Sequence, residues 1–164
     1  MSIIYKSKRI GKDGKEFYLY KFQTLKQEID HTSSFAKQDQ YTWCGRFLRK
    51  TKLDEFPQII NWLKRDIALV GPRPEEERTI NVIPEQSRKI LLSIKPGITS
   101  LSSIYFHEEE KILQQGNDMF DLYWKRVKPM KIFLDIFYIN NRDIFLNFWI
   151  LWKTFWIIIK SFLG

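Results

Sequence analysis

The chain has 164 residues, which is enough for one domain with a hydrophobic core and too few for two. Its 27 Lys and Arg residues outnumber 19 Asp and Glu residues, and the formal net charge of +8, with 16% aromatic residues, suits anionic substrates or an anionic surface. The single cysteine, Cys44, excludes an internal disulfide and a multi-cysteine metal site, and no helix-turn-helix, zinc-finger or RNP-like pattern indicates nucleic-acid binding.

The N-terminal residues predict a β-hairpin. Residues 3–9 and 16–24 have the composition of strands, and they flank Gly11-Lys12-Asp13-Gly14, whose Asp-Gly dipeptide favours a tight reversal. Residues 1–16 contain many Lys residues and no apolar run, so they are not a secretory signal. Residues 26–41 are polar and lack a clear period, and they predict a mobile loop over the functional site.

Two adjacent carboxylates, Asp54 and Glu55, begin the most informative stretch of the sequence. The spacing after them predicts a helix over about residues 55–65, with Asp54 as its N-cap and Pro57 in its first turn. A carboxylate at a helix N-terminus lies near unpaired backbone amides, which favours its ionised form and makes Asp54 a potential nucleophile. The predicted apolar face of this helix consists of Phe56, Ile59, Ile60 and Leu63.

A stiff turn, Pro72-Arg73-Pro74, follows this helix and a short buried segment at residues 67–70. The two prolines restrict Arg73, and a fixed guanidinium is suited to binding phosphate. Each feature also has a simpler interpretation. An Asp before a helix is usually only a cap, and such a turn is usually only rigid. The residues alone favour these simpler interpretations.

The second half of the chain is predicted to be mainly helical. The acidic run at residues 75–77 is interpreted as solvated charge in preference to a metal site. Helices are predicted after Pro84, over residues 108–115 and 118–127, and from Pro129 onward. A loop at residues 95–99 offers the hydroxyl group of Thr99. The helix from Pro129 carries an apolar stripe of Ile132, Phe133, Ile136, Phe137 and Ile139.

Residues 144–163 predict an amphipathic helix that is almost long enough to span a bilayer. At about 100° per residue, its polar positions gather on one side, opposite a face rich in Trp, Phe and Ile. This separation into a polar face and an aromatic, apolar face is typical of a helix that lies in a membrane interface. The alternative is a helix packed on the protein's own core. The polar positions are Asn147, Lys153, Thr154, Lys160 and Ser161.

Four blocks of sequence resemble a single protein family. They are RIGKDGKEFYLYKFQTL, FLRKTKLDEFPQIINWLKRDIALVGPRPE, KPGITSL and LDIFYINNRDIFLNFWILWKTF, which together extend over nearly the whole chain. By these blocks the chain is identified as a member of the bacterial sugar transferases, the small monotopic phosphoglycosyl transferases. The resemblance implies an α+β, mostly helical fold. A catalytic domain would occupy residues 1–143, with a hairpin at 3–24 and a core block at 45–101, and an interfacial helix would occupy 144–164.

The resemblance also implies a reaction. Such enzymes move a sugar-1-phosphate from a nucleotide sugar, here expected to be a UDP-sugar, to polyprenyl phosphate, and so initiate exopolysaccharide, O-antigen, capsule or glycan assembly. Asp54 is the expected nucleophile, through a phosphosugar-aspartate, and Mg²⁺ with fixed cations would neutralise the diphosphate. Glu55 is expected to hold Mg²⁺ together with Asp54, or to tune Asp54. The candidate phosphate contacts are Arg49 and Arg73, and further site candidates are Lys21, Asp66, Lys95 and Thr99.

The chain departs from the family pattern in three places. The family usually has Lys-Phe-Arg where this chain has Lys21-Phe22-Gln23, so one fixed cation is lost. Residues 100–104 replace the family's Gly and Ala-Gln-Val run, which predicts different substrate contacts. An apolar membrane-embedded segment precedes the hairpin in the family and is missing here. A fragment, a split gene product, and a natural short form with another anchor or partner remain the alternatives.

Three classes of protein remain open. The first is an active transferase at the cytoplasmic face of the bacterial inner membrane, which the intact Asp54-Glu55 pair and the Pro72-Arg73-Pro74 turn favour. The second is a non-catalytic or incomplete relative that needs a membrane segment or partner in trans, which the missing N-terminal segment and Gln23 favour. The third is a basic module for nucleic acid or anionic lipid, which only the charge supports, and nucleic acid is not expected as a partner. The sugar, the polyprenol length and a homo-oligomeric state are left open.

Overall fold

The computed structural model of the chain describes residues 3–25, 41–108 and 119–163. Most of the predicted loop at residues 26–41 lies outside the described residues. The same holds for residues 109–118, which contain most of one predicted helix and the first residue of the next.

Two antiparallel strands form the predicted N-terminal hairpin. Strand β1 (Ile4–Ile10) pairs with β2 (Glu16–Phe22), from Ile4 opposite Phe22 to Ile10 opposite Glu16. The turn between them places Asp13 and Gly14 at φ values of 57° and 76°. Gly, and to a lesser extent Asp, tolerates this left-handed region, and the Asp-Gly dipeptide therefore fits the reversal. The hairpin prediction is confirmed.

Helices form most of the remaining described chain, so the predicted α+β, mostly helical class is confirmed. They are α1 (Trp43–Lys50), α2 (Gln58–Leu63), α3 (Glu77–Val82), α4 (Glu85–Leu91), α5 (Leu101–Tyr105), α6 (Met119–Leu122), α7 (Lys128–Asn141) and α8 (Ile144–Leu163). A π-helical turn, Tyr123–Val127, joins α6 directly to α7. Pro129 lies in the first turn of α7, where its missing N–H is not needed, and the predicted break before it does not occur.

A second, parallel sheet brings the Pro72-Arg73-Pro74 turn beside the loop at residues 95–99. Strand β3 (Ala68–Val70) pairs with β4 (Gly97–Thr99). A Cβ on Gly71 would lie 2.6 Å from the carbonyl oxygen of Lys95, and a Cβ on Gly97 would lie 2.2 Å from the nitrogen of Gly71. Because only glycine leaves room for this approach, these two residues determine how closely the two segments meet.

Helix α7 contributes to both hydrophobic clusters of the described chain. One cluster joins β1, α3 and α4, and the other joins α5, α7 and α8. The apolar side chains of α7 divide between them. Ile132 and Ile136 contact the first, Tyr138 belongs to the second and Leu134 contacts it, and Ile139 contacts both. Phe133 and Phe137 of the predicted stripe are exposed. The stripe is therefore only partly a core face.

The acidic run at residues 75–77 is structural. Glu75 forms an ion pair with Lys128, whose side chain is only 3% exposed, and Glu76 forms one with Arg9 at 3.0 Å. Glu77 is the first residue of α3, a helix that the apolar spacing did not predict. The prediction of solvated charge is wrong for the first two residues, because cations from β1 and α7 converge on them.

Helix α2 is shorter than predicted, and its apolar face is turned away from the protein. Asn61 is fully buried and explains this orientation. Its amide nitrogen donates to the carbonyl oxygen of Tyr18 at 2.7 Å, and its side-chain oxygen accepts from the backbone N–H of Tyr20 at 3.0 Å. These bonds hold the polar side of α2 against the backbone of β2. The exposed residues are Phe56, Ile59, Ile60 and Leu63, the predicted apolar face.

Helix α8 has the predicted bounds and also packs through its polar side. Thr154 shares a hydrogen bond of 2.6 Å with Thr99, and Asn147 accepts one of 2.7 Å from Tyr138. Ile150, an apolar residue on that side, is completely buried. The aromatic face is exposed, with Trp152 at 55%. Among the described helices, α8 is the one long and apolar enough to cross a membrane, judged by length and composition alone.

We expect Asn61→Ala to lower the free energy of unfolding by about 2–4 kcal/mol, because two backbone groups of β2 lose their side-chain partner. Urea denaturation followed by circular dichroism measures the change. The matched control is Asn81→Ala, at an exposed position of α3, which should change this free energy by less than about 0.5 kcal/mol. Equal losses in the two variants would contradict a tethering role for Asn61.

Candidate active site

A 3₁₀ turn, Leu53–Glu55, carries the two adjacent carboxylates between α1 and α2. Lys52 precedes it at a φ of 60°, a backbone conformation that is uncommon for a residue with a side chain. Asp54 is only 8% exposed, and its Oδ1 atom makes no hydrogen bond within the described residues. The prediction that Asp54 caps the helix is wrong, since Pro57 occupies the position before α2.

Glu55 joins three segments of the chain through one oxygen atom. Its Oε1 accepts from Nζ of Lys21 at 2.9 Å and from Nη2 of Arg73 at 3.1 Å. Burial by itself would raise the pKa of Glu55, but the charges of Lys21 and Arg73 outweigh burial and hold this pKa far below its ordinary value. Glu55 is therefore ionised at neutral pH. Burial lowers the pKa of Lys21, and the charge of Glu55 opposes that shift.

The pKa of Asp54 is raised, which is opposite to the expectation from a helix N-terminus. Burial is the largest cause, and the negative charge of Glu55 adds to it. The positive charges of Lys21, Lys52 and Arg49 oppose the rise. The expectation is wrong because α2 begins only at Gln58, so the first amides of that helix do not surround Asp54. A carboxylate withdrawn from water is more basic, and its anion is a stronger nucleophile.

Arg73 is held from two directions. Its Nη1 atom donates to Oγ of Ser103 at 3.4 Å, in addition to the bond from Nη2 to Glu55. Its backbone N–H donates to Oδ2 of Asp135 at 3.3 Å. The side chain nevertheless remains 42% exposed. Arg73 is therefore fixed in position and still accessible to a phosphate group, as its place between two prolines predicts.

Asp135 of α7 contacts this turn, and no role was predicted for it from the sequence. It is buried, it accepts hydrogen bonds from Arg73 and Ser102, and its Oδ1 has no partner within the described residues. Burial raises the pKa of Asp135 to about 6, although the bonds from Ser102 and Arg73 limit the rise. A signal was present in the sequence, because a single Asp interrupts the apolar stripe after Pro129 and buried carboxylates need partners.

Arg49 lies near the carboxylates, whereas Gln23 makes its contacts within the hairpin segment. Nη1 of Arg49 donates to the hydroxyl of Tyr41 at 2.7 Å, and the guanidinium lies 5.1 Å from the centre of that ring. Its charge acts on the pKa of Asp54. Gln23 donates to the backbone carbonyl of Leu25 at 2.7 Å. The residue that replaces the expected Arg is therefore engaged in a local contact at the end of the hairpin.

The remaining candidates are placed elsewhere. The hydroxyl of Thr99 is bonded to Thr154, and Asp66 accepts a hydrogen bond of 3.1 Å from Asn61. Lys95 lines an open cleft that contains neither site carboxylate. The structure therefore brings Lys21 and Arg73 to the carboxylates, whereas the other three take part in packing or in a different cleft.

The two carboxylates fit a magnesium ion that arrives with a phosphate ligand. Within the described residues, no group of three or more His, Cys, Asp or Glu side chains forms a metal site. Oδ1 of Asp54 has no partner there, and the hydrogen bonds of Glu55 end on Oε1 alone. Mg²⁺ usually keeps several waters and binds through one or two carboxylates together with substrate phosphates. A pair of adjacent carboxylates matches that requirement.

Comparisons with known proteins cover almost the whole chain. Residues 1–161 match the sequence model of the family described as bacterial sugar transferase. The uncharacterized sugar transferase EpsL of Bacillus subtilis is 34% identical over 93% of this chain and 67% of its own length. The UDP-N-acetylgalactosamine-undecaprenyl-phosphate N-acetylgalactosaminephosphotransferase of Aeromonas hydrophila is 28% identical over 98% of this chain. The UDP-glucose:undecaprenyl-phosphate glucose-1-phosphate transferase of Klebsiella pneumoniae is 32% identical over 99% of it. This chain spans 36% and 33% of the last two relatives.

The titration of Asp135 predicts how stability depends on pH. The ordinary pKa of an Asp is 3.8, and that of Asp135 in the folded chain is about 6. The unfolded chain therefore releases this proton first as the pH rises. The contribution of Asp135 to the stability of the wild type is greatest below the lower value, and it falls through the higher one by roughly 2–3 kcal/mol.

We expect Asp135→Asn to remove this loss, because Asn keeps an oxygen that accepts from Arg73 and does not titrate. Urea denaturation of both proteins between about pH 4 and pH 7 should show the variant gaining relative stability as the pH rises. Parallel pH profiles would contradict a buried, titrating Asp135.

Proposed function

Because the chain belongs to the bacterial sugar transferase family, we propose that it transfers a sugar-1-phosphate from a nucleoside diphosphate sugar to a polyprenyl phosphate. The observation that carries the proposal is the buried Asp54, whose Oδ1 has no partner within the described residues, beside a Glu55 held by Lys21 and Arg73. Attack of an anion on a charged diphosphate requires such positive charge around it. The Aeromonas and Klebsiella relatives are named for UDP-sugars and undecaprenyl phosphate, which makes these the first substrates to test.

In the first step, an oxygen of the Asp54 carboxylate attacks the phosphorus atom that is bonded to the sugar. A P–O bond forms to Asp54 while the bond to the nucleoside monophosphate breaks, and the nucleoside monophosphate leaves with the electron pair. The product on the protein is a phosphosugar-aspartate. Because the attacking group is already an anion, this step needs no proton transfer.

In the second step, a phosphate oxygen of the polyprenyl phosphate attacks the same phosphorus atom. The bond to Asp54 breaks, and the carboxylate leaves as an anion. The lipid now carries the sugar through a diphosphate, and Asp54 is regenerated. The nearby cations Lys21, Lys52 and Arg49 favour the return of Asp54 to its ionised form.

The cations of the site have distinct roles in this proposal. Lys21 keeps Glu55 in place through its ion pair, and the exposed guanidinium of Arg73 is available to a phosphate oxygen of the donor. Asp54 and Glu55 would hold Mg²⁺, which supplies further positive charge to the diphosphate when it is bound. Asp135 positions Arg73 by accepting a hydrogen bond from its backbone N–H.

The acceptor is a membrane lipid, so we place the chain at the cytoplasmic face of the bacterial inner membrane. Two exposed apolar faces support contact with a membrane surface: that of α2, directly after the carboxylates, and that of α8. Phe47 of α1 packs edge-to-face on Phe162 of α8, with ring centres 6.4 Å apart. Since α1 precedes the carboxylate turn, this contact brings the end of α8 to the helix that leads to Asp54.

A second candidate function is a non-catalytic or incomplete relative that needs a membrane segment in trans. Gln23 is the observation that favours it, because an uncharged side chain stands where the family pattern has Arg. The two candidates differ in one respect that can be measured, which is turnover by the isolated chain.

We expect Asp54→Asn to reduce transferase activity by roughly 10³-fold or more, because the amide cannot form the phosphosugar intermediate. The assay combines membrane-reconstituted protein, Mg²⁺, undecaprenyl phosphate and a panel of UDP-sugars, and it measures UMP release and lipid-linked product. The matched control is Asp13→Asn in the hairpin turn, where Asn also tolerates the positive φ of 57°.

Full activity of Asp54→Asn would contradict the proposed nucleophile. If no donor is turned over, the assay is repeated with the membrane segment of a relative fused ahead of Met1. Activity restored by that fusion would show an enzyme that depends on such a segment. Inactivity in both forms would favour a non-catalytic relative.

We expect the double substitution Trp152→Gln/Trp156→Gln to weaken binding to phosphatidylcholine vesicles by roughly tenfold or more, because both indoles belong to the exposed face of α8. Vesicle co-sedimentation measures this change. The control, Tyr18→Gln/Tyr105→Gln, removes two aromatic side chains outside α2 and α8 that are at least as exposed. Unchanged binding by the tryptophan variant would contradict the assignment of this face to the membrane.

A further inference from the structure

An open cleft lies where β3, the segment before β4 and the α7–α8 corner meet. Its volume is about 530 Å³, which is within the range of small-ligand pockets. Val70 and Ile94 supply apolar walls, and Tyr138 and Asn147 supply polar groups. The lining includes neither of the two site carboxylates nor the cations that contact them. The cleft is therefore a separate feature, to which the proposed transfer reaction assigns no role.

Two cations line this cleft from different elements. Lys95 follows α4, and Arg142 follows the last residue of α7. Both side chains are exposed, and neither forms an ion pair with another described residue. Among the lining residues, Asp143 is the one carboxylate, and its Oδ1 accepts the backbone N–H of Leu146 at 2.6 Å. Two cations against one engaged carboxylate leave a net positive lining that suits a phosphate group.

Neutral hydrogen-bonding groups accompany these charges. Burial raises the pKa of Tyr138 in spite of the nearby Arg142, so its hydroxyl keeps its proton at neutral pH. This hydroxyl donates to Oδ1 of Asn147 at 2.7 Å. The side-chain amide nitrogen of Asn147 makes no hydrogen bond to another described residue, so it can donate to a ligand. Cations combined with fixed neutral donors are a common arrangement for phosphate recognition.

The cleft borders the exposed beginning of α8. Ile144 lines it, and Ile144, Phe145 and Phe148 are 77%, 80% and 70% exposed. A ligand with both a phosphate group and hydrocarbon chains would match the charged cleft and this apolar border together. We propose that the cleft binds the phosphate of an anionic phospholipid headgroup, with Lys95 and Arg142 as its charged contacts. The acyl chains would lie along the beginning of α8.

This assignment gives Lys95 a role different from the substrate contact expected from the sequence. A headgroup bound here fixes the α7–α8 corner to an anionic membrane surface. The proposal rests on the membrane association proposed above, but it concerns the charge of the lipid and not the apolar contact. Experiments can therefore refute the headgroup site and the apolar membrane contact independently of each other.

The first test follows the side-chain amide of Asn147 by NMR during titration with dihexanoylphosphatidylglycerol below its micelle concentration. We expect a saturable shift, and we expect Lys95→Gln/Arg142→Gln to weaken the binding roughly tenfold or more. Dihexanoylphosphatidylcholine and inorganic phosphate are titrated for comparison and should bind more weakly. Equal binding of inorganic phosphate would overturn the lipid assignment in favour of a free phosphate. No shift with the anionic lipid, or an unchanged affinity in the double variant, would overturn the site.

The second test compares vesicles of phosphatidylcholine with vesicles that also contain phosphatidylglycerol. The matched control, Lys12→Gln/Lys15→Gln, removes the same charge from exposed positions in the hairpin turn. The wild type, the cleft variant and the control should bind neutral vesicles equally. Phosphatidylglycerol should increase the affinity for vesicles, and this increase should be reduced roughly tenfold more in the cleft variant than in the control. Equal losses would overturn the proposal, because they would reflect net charge alone. If no protein binds neutral vesicles, the apolar membrane contact fails, and the NMR titration still decides the cleft.

Discussion

The site depends on the two ion pairs of Glu55. One carboxylate oxygen accepts from Lys21 of the hairpin and from Arg73 of the proline-bounded turn, so three segments that are distant in sequence meet at one atom. Removing the charge of Glu55 would leave two partly buried cations close together, and an uncompensated buried charge is strongly destabilising. At this point, electrostatic attraction joins the hairpin, the 3₁₀ turn and the Arg73 turn.

The same interaction sets the properties of Asp54. Glu55 stays ionised because Lys21 and Arg73 surround it, and its negative charge helps to raise the pKa of the buried neighbour. Lys21, Lys52 and Arg49 limit that rise. Asp54 is thus withdrawn from water and still lies close to positive charge. These properties suit the proposed nucleophile, which must attack as an anion and later leave as one.

Helices α2 and α8 both pack through their polar sides. Asn61 attaches α2 to the hairpin, and Thr154 and Asn147 attach α8 to the core, with Ile150 as the buried apolar exception. Amphipathic helices of water-soluble domains usually turn their apolar faces inward. Here those faces remain exposed, and an exposed apolar surface of this kind is typical of contact with a membrane or a partner. A lipid acceptor would be reached from such a surface.

The sequence by itself determined the local elements and the identity of the main chemical groups. The Asp13-Gly14 dipeptide predicted the hairpin turn because few residues adopt positive φ, and the helical spacing predicted the bounds of α8. The family blocks singled out Asp54 and Glu55 together with Arg73. Only the tertiary structure decided which side of each helix is buried. The face that α2 turns toward the protein depends on hydrogen bonds from Asn61 to distant backbone groups of β2. The tertiary structure also decided the pKa of Asp54 and the importance of Asp135, because burial and nearby charge arise only when remote segments pack together.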